Sequence, residues 1–151
     1  MPGPSYDSLK RFFESAPAAR KATRPLGRGA RVNLALDGGP AHFTMESGAP
    51  EVRIGAAEDA DFTLTLPEGA VSRITGFASE DVGELGIEFF KLVLERDPAV
   101  KARIRVEAAT TRLVGHGYLG VLALGGVKVG WWLLRNGVKN PKAAIDRLRG
   151  R

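Results

Sequence analysis

The sequence predicts an α+β fold: a five-stranded, mainly antiparallel sheet covered by helices on one face. Three observations carry this. Apolar residues alternate with polar ones in five short stretches between residues 31 and 107. They recur at period 3.6 in segments before, between and after those stretches. A chain of 151 residues with ordinary apolar and charged content also has room for one substantial core.

Residues 5–15 read as a short amphipathic helix. Ser5 can cap it, and Leu9, Phe12, Phe13 and Ala16 fall on one stripe. Pro17 and Pro25 interrupt the pattern, so an Ala/Arg-rich connector is expected as far as Gly29. The period then changes to 2. Val32, Leu34 and Leu36 alternate in residues 31–37, and Gly38-Gly39-Pro40 signals a turn. Phe43 and Met45 alternate with His42, Thr44 and Glu46, and after residues 47–50 Val52 and Ile54 share a face. In residues 61–66 Phe62, Leu64 and Leu66 oppose Thr63 and Thr65. Four half-buried strands joined by short turns predict an antiparallel sheet with one covered face.

Pro67 suits the start of a helix over residues 68–75, with Ala70, Val71 and Ile74 facing the core and Gly76 ending it. Ser79 is the expected cap of a longer helix to about Arg96, although Leu85, Ile87 and Phe89 also fit a strand. Asp97-Pro98 closes that segment. Residues 101–107 form a fifth strand with Ala102, Ile104 and Val106 on one face and Lys101, Arg103 and Arg105 on the other. Pro141 opens a last amphipathic helix through Ala144, Ile145 and Leu148. The expected organisation is a helix and basic connector over residues 1–29, an α+β domain over 30–135, and a basic C-terminal helix and tail over 136–151.

Composition excludes several chemistries. With no cysteine there are no disulfides, thiol nucleophiles or zinc–thiolate sites. The first residues lack the basic-then-apolar profile of a secretory signal, so a cytoplasmic location is expected. The net charge of +5 is unevenly spread. Lys10, Arg11, Arg20, Lys21, Arg24, Arg28 and Arg31 face only Asp7 and Glu14 at the start of the chain, the middle is acidic, and the chain turns basic again from Lys101. Basic ends that share a face would attract an anionic membrane surface. No zinc-finger spacing, aromatic pair on a basic strand or helix-turn-helix supports a nucleic-acid partner.

Residues 113–134, LVGHGYLGVLALGGVKVGWWLL, are nearly free of charge and long enough to cross a bilayer, for which about 20 residues suffice. Lys128 argues against crossing, because a lysine near the bilayer centre costs about 2.5–3.5 kcal/mol. The expected role is an apolar lid on the sheet, with glycines permitting close approach.

Tests for chemistry return little. Gly115-His-Gly-Tyr-Leu-Gly120 matches the G-x-G-x-x-G pattern, but antiparallel strands precede it and Asn140 stands where an acidic residue is needed. Close packing is the expected use of those glycines. His116 is expected as a helix-start or packing residue, and Glu58-Asp59-Ala60-Asp61 as a polar turn before a strand. No metal site, cofactor site or catalytic constellation assembles, so the chain is not expected to be an enzyme.

The order of elements resembles the sterol carrier protein type-2 lipid-binding domain. The residues that carry this are Val32 to Leu36, the Asp37-Gly38-Gly39 turn, Val52 to Gly55 and above all Ala60-Asp-Phe-Thr-Leu-Thr-Leu66, with Gly76 and residues 101–107 standing for the later helix break and final strand. The match covers roughly residues 30–125. The chain departs from the pattern in a longer helix before the fifth strand, in Lys101-Ala-Arg-Ile-Arg-Val106, and in the Gly-rich segment and basic tail. The resemblance implies non-enzymatic binding of a fatty acid, acyl chain or sterol between the sheet and its helices. The side chains expected to line that space are Phe62, Leu64, Phe77, Phe89, Val93, Ile104, Tyr118, Leu122 and Trp131. The alternative is an interaction or scaffold domain that uses residues 113–134 as a homodimer or partner interface.

Overall fold

The first helix, α1 (Pro4–Ser15), starts with proline in its first turn, where the missing N–H is tolerated, and buries Leu9 and Phe12 on the expected stripe. The computed structural model describes residues 3–77 and 80–117. A second helix, α2 (Pro17–Thr23), stands where a connector was expected. Pro17 follows the break after α1, as expected, but it also starts the next helix. It occupies the first helical position, and Ala18, Ala19 and Thr23 turn inward behind it.

Five strands follow: β1 (Arg31–Leu36), β2 (Gly39–Thr44), β3 (Glu51–Ile54), β4 (Phe62–Leu66) and β5 (Arg103–Val106). They form an open sheet in the order β3-β2-β1-β4-β5. The sheet is mixed. β1–β2, β2–β3 and β4–β5 pair antiparallel, but β1 and β4 pair parallel, which corrects the expectation of four antiparallel strands joined in sequence by short turns. From the edge strand β3 the chain crosses back over β2 and β1 before starting β4. His42 Nδ1–H donates to the Gly55 carbonyl at 2.9 Å, while Asn33 donates to the Ala57 carbonyl at 3.2 Å and accepts from its N–H at 2.7 Å. These bonds pin the crossing to the polar face. β2 also starts earlier than the turn signal implied, since Leu36 already pairs with Gly39 across Asp37-Gly38.

Strand register lays two apolar rows across the whole sheet: Val52, Phe43, Val32, Phe62 and Val106, then Ile54, Ala41, Leu34, Leu64 and Ile104. Helices gather on that face. α1 packs on β3 and on α3 (Glu68–Thr75), and α2 packs between α1 and α4 (Val82–Leu94). The N–H of Glu68 finds the Asp37 carboxylate at 3.0 Å, so the β1–β2 turn supplies α3 with the cap that Pro67 cannot. Asp81 caps α4, accepting from Gly83 and Glu84 at 2.8 and 3.2 Å. The cap expected at Ser79 is thereby corrected, and Ser79 itself lies outside the described residues. Residues 84–89 are helical, so their alternating pattern gives no strand.

Edge strand β3 is not left bare. The Val52 N–H donates to Glu14 at 3.1 Å, and its carbonyl accepts from Tyr6 and Lys10 at 3.2 and 3.1 Å. Three side chains of α1 thus occupy backbone groups that another strand could otherwise pair with.

Candidate functional site

The helix-facing side of the sheet is sealed unevenly. Val32, Leu34, Ala41, Phe43 and Val52 are buried in one cluster with Leu9, Phe12, Val71 and Ile74 from α1 and α3. Leu34 is 1% exposed. Sealing varies along the same rows: beyond β1, Phe62, Leu64 and Ile104 are half-buried while Val106 and Leu66 are closed over, and at the other edge Ile54 on β3 is 62% exposed. α4 shares this character. It buries Leu92 and Val93, yet Leu85, Ile87, Phe89 and Phe90 are half-buried and Leu94 is 50% exposed.

Six of the nine expected lining residues lie in this neighbourhood or near it. Leu64 and Ile104 are direct cross-strand partners, Phe62 neighbours them through Val106, and Phe89 and Val93 sit one turn apart on α4. All five belong to the main apolar cluster or pack against it. Phe77 also packs against that cluster, but it lines an open groove of about 370 Å³ with Arg11, Phe12 and Thr75, between α1 and the end of α3. Tyr118, Leu122 and Trp131 lie outside the described residues, as do the expected lid from residue 118 onward and the basic tail. A second open groove, of about 250 Å³, runs between Tyr6, Leu36, Pro40 and Ile54.

The structure also contains a polar node that the sequence reading passed over. Asp61, expected only as part of a polar turn before a strand, is completely buried. Its carboxylate accepts from Arg112 Nε at 2.9 Å, His116 Nδ1 at 2.8 Å and the Arg31 N–H at 3.3 Å. Its own N–H donates to the Arg31 carbonyl, and its carbonyl accepts from Glu107 and Ala108. A buried carboxylate needs this many donors, because an ionised group without them would be driven to neutralise. Arg112 further reaches the Asp59 carbonyl.

Arg112 and His116 are four residues apart, one in α5 (Thr110–Gly115) and one at its C-terminal end. That placement corrects the helix-start role expected for His116. Its carbonyl accepts from the Gly27 N–H at 3.0 Å, and a Cβ added to Gly29 would stand 2.9 Å from Nε2. Gly117 has φ of +90°, and a side chain there would strike the Pro25 carbonyl. Of the glycines in the G-x-G-x-x-G run, Gly117 serves the close approach expected, whereas Gly115 faces open space and Gly120 lies outside the described residues. The aspartate, arginine and histidine together tie the start of β4, the end of β5 and α5 to the segment before β1. Nδ1 is held by Asp61, and Nε2 lies where a side chain at Gly29 would strike it, so the imidazole is packed into this joint.

Among the described residues no group of three or more histidine, aspartate or glutamate side chains could hold a metal ion, and no helix is long and apolar enough to cross a membrane. Comparison with family models, curated proteins and solved structures found no match to this chain.

Proposed function

We propose that this domain binds the apolar chain of a lipid, a fatty acid, acyl group or sterol, between the β4–β5 half of its sheet and α4, and that it does so without catalysis. The observation that carries the reading is the uneven sealing of one apolar face. Fully buried side chains have no further surface to give up. Half-buried Phe62, Leu64, Ile104 and Phe89 do, at about 25 cal/mol per Å² of apolar surface removed from water. Concave apolar walls with few polar groups are the usual environment of such ligands. The element order also supports it: two helices, four strands, two helices and a fifth strand follow one another along the chain.

Native mass spectrometry of freshly purified protein tests this. The expected result is a population heavier than the bare chain by the mass of a lipid, which organic solvent extracts and which a fluorescent fatty acid restores. Bare chain that takes up no fatty acid would refute the proposal. A ligand-free dimer would instead favour the interaction-domain alternative.

A further inference from the structure

The stretch from Ser15 to Leu36 contains no aspartate or glutamate but holds Arg20, Lys21, Arg24, Arg28 and Arg31. The fold sorts these charges. On α2 the buried residues are Ala18, Ala19 and Thr23, and Arg20, Lys21 and Arg24 occupy the opposite arc, all exposed. Arg28 is exposed just beyond them, with its guanidinium over Gly48 in the β2–β3 turn. Arg20 donates to the Glu14 carbonyl at 2.8 Å, and none of the four makes an ion pair among the described residues. Favourable placement at a helix C-terminus accounts for Arg20, Lys21 and the C-cap Arg24, but not for Arg28 beyond it. Half-buried Pro25 and Leu26 lie between those two arginines, and none of residues 20–28 is aromatic.

We propose that this face of α2 and its connector is a docking surface for an anionic lipid bilayer. Charge complementarity favours it: cations without acidic neighbours in sequence or paired carboxylates in space are drawn to an anionic leaflet. Position favours it too. α2 packs directly against α4, the helix that carries Phe89 and Val93, so docking brings the wall of the candidate lipid site to the membrane. A nucleic acid would draw on the same charges but finds no aromatic platform here for its bases. The inference rests on the lipid-binding reading for its purpose, though not for its geometry.

The test uses the full chain and a variant carrying Arg20→Gln, Lys21→Gln and Arg24→Gln, with circular dichroism confirming that both fold. Wild-type protein is expected to sediment with phosphatidylcholine vesicles that contain phosphatidylglycerol, less so as salt rises, and not with phosphatidylcholine alone. The variant is expected to lose about 100-fold in partitioning, roughly fivefold per charge removed, while still taking up a fluorescent fatty acid in solution. Equal sedimentation of variant and wild type would place any membrane contact elsewhere and overturn the proposal. So would binding to duplex DNA without binding to vesicles. Docking that persists without fatty-acid uptake would uphold this surface while removing the lipid-binding reading.

Discussion

On β1, β2 and β3 the side chains of Val32, Leu34, Ala41, Phe43 and Val52 are closed over in one cluster with α1 and α3, leaving Ile54 exposed at the edge. On β4 and β5, by contrast, Phe62, Leu64 and Ile104 stay half-buried beside the buried Val106. The two halves are also held differently. Packing closes the first, with Leu9, Leu34, Val52 and Ala70 at 1% exposure or less. The second is tied at one end by hydrogen bonds, through the carboxylate of Asp61. Strand order therefore does not require equal sealing: packing closes one half, and a polar joint fixes the geometry of the other.

The sharpest way to break this comparison is to truncate the same residue type in both halves. Leu34→Ala should cost about 4 kcal/mol, since the cavity it leaves is enclosed on all sides. Leu64→Ala, its cross-strand neighbour, should cost about 1 kcal/mol, because less contact is lost. Equal losses in urea unfolding would show the two halves to be equally sealed. Asp61→Asn comes next, at about 2 kcal/mol, because the neutral amide keeps the shape but gives up charge-assisted bonds to Arg112 and His116. Hydrogen exchange should rise around residues 106–117 and leave β2 and β3 unchanged. A uniform rise would mean the joint serves the whole domain.

Smaller effects probe the sealed edge. Glu14→Ala should cost about 1 kcal/mol and expose the Val52 N–H, with concentration-dependent association as its signature in light scattering. On the neighbouring surface the Ser47 hydroxyl and then Arg53 hold the Glu51 carboxyl below its ordinary value. A depressed carboxylate stabilises the fold above the unfolded-state value, near 4.5, and that contribution is lost as pH falls through the lowered folded-state value. The side chain is half-buried with its hydrogen bonds at the surface, so the effect on stability is small and is read by carbon NMR of the carboxyl. Ser47→Ala should move its titration upward, and an unchanged titration would remove the hydroxyl as the cause.

Most of the covered face was legible in the sequence because Val32, Leu34, Leu36, Phe62, Leu64 and Ile104 alternate with polar residues, and alternation is a local signal. The parallel pairing of β1 with β4 was not, since it depends on where residues 55–61 cross, and that is set by His42 and Asn33 from other strands. Pro17 misled because proline ends one helix and starts another with equal ease. Asp61 misled for a different reason. Among Glu58, Asp59 and Ala60 it reads as one more polar turn residue, and the arginine and histidine that bury it lie more than fifty positions later. The spacing of Arg112 and His116, four apart on a helical segment, was the available clue, but it names no partner by itself.

The central claim is that a lipid chain enters the half-sealed side of the sheet. Methyl NMR of the protein before and after loading with a fatty acid tests it most directly. The account predicts shifts at Leu64, Val93, Ile104 and Val106, with Leu34, Val52 and Val71 unmoved. Shifts spread equally over both groups, or confined to the second, would contradict it.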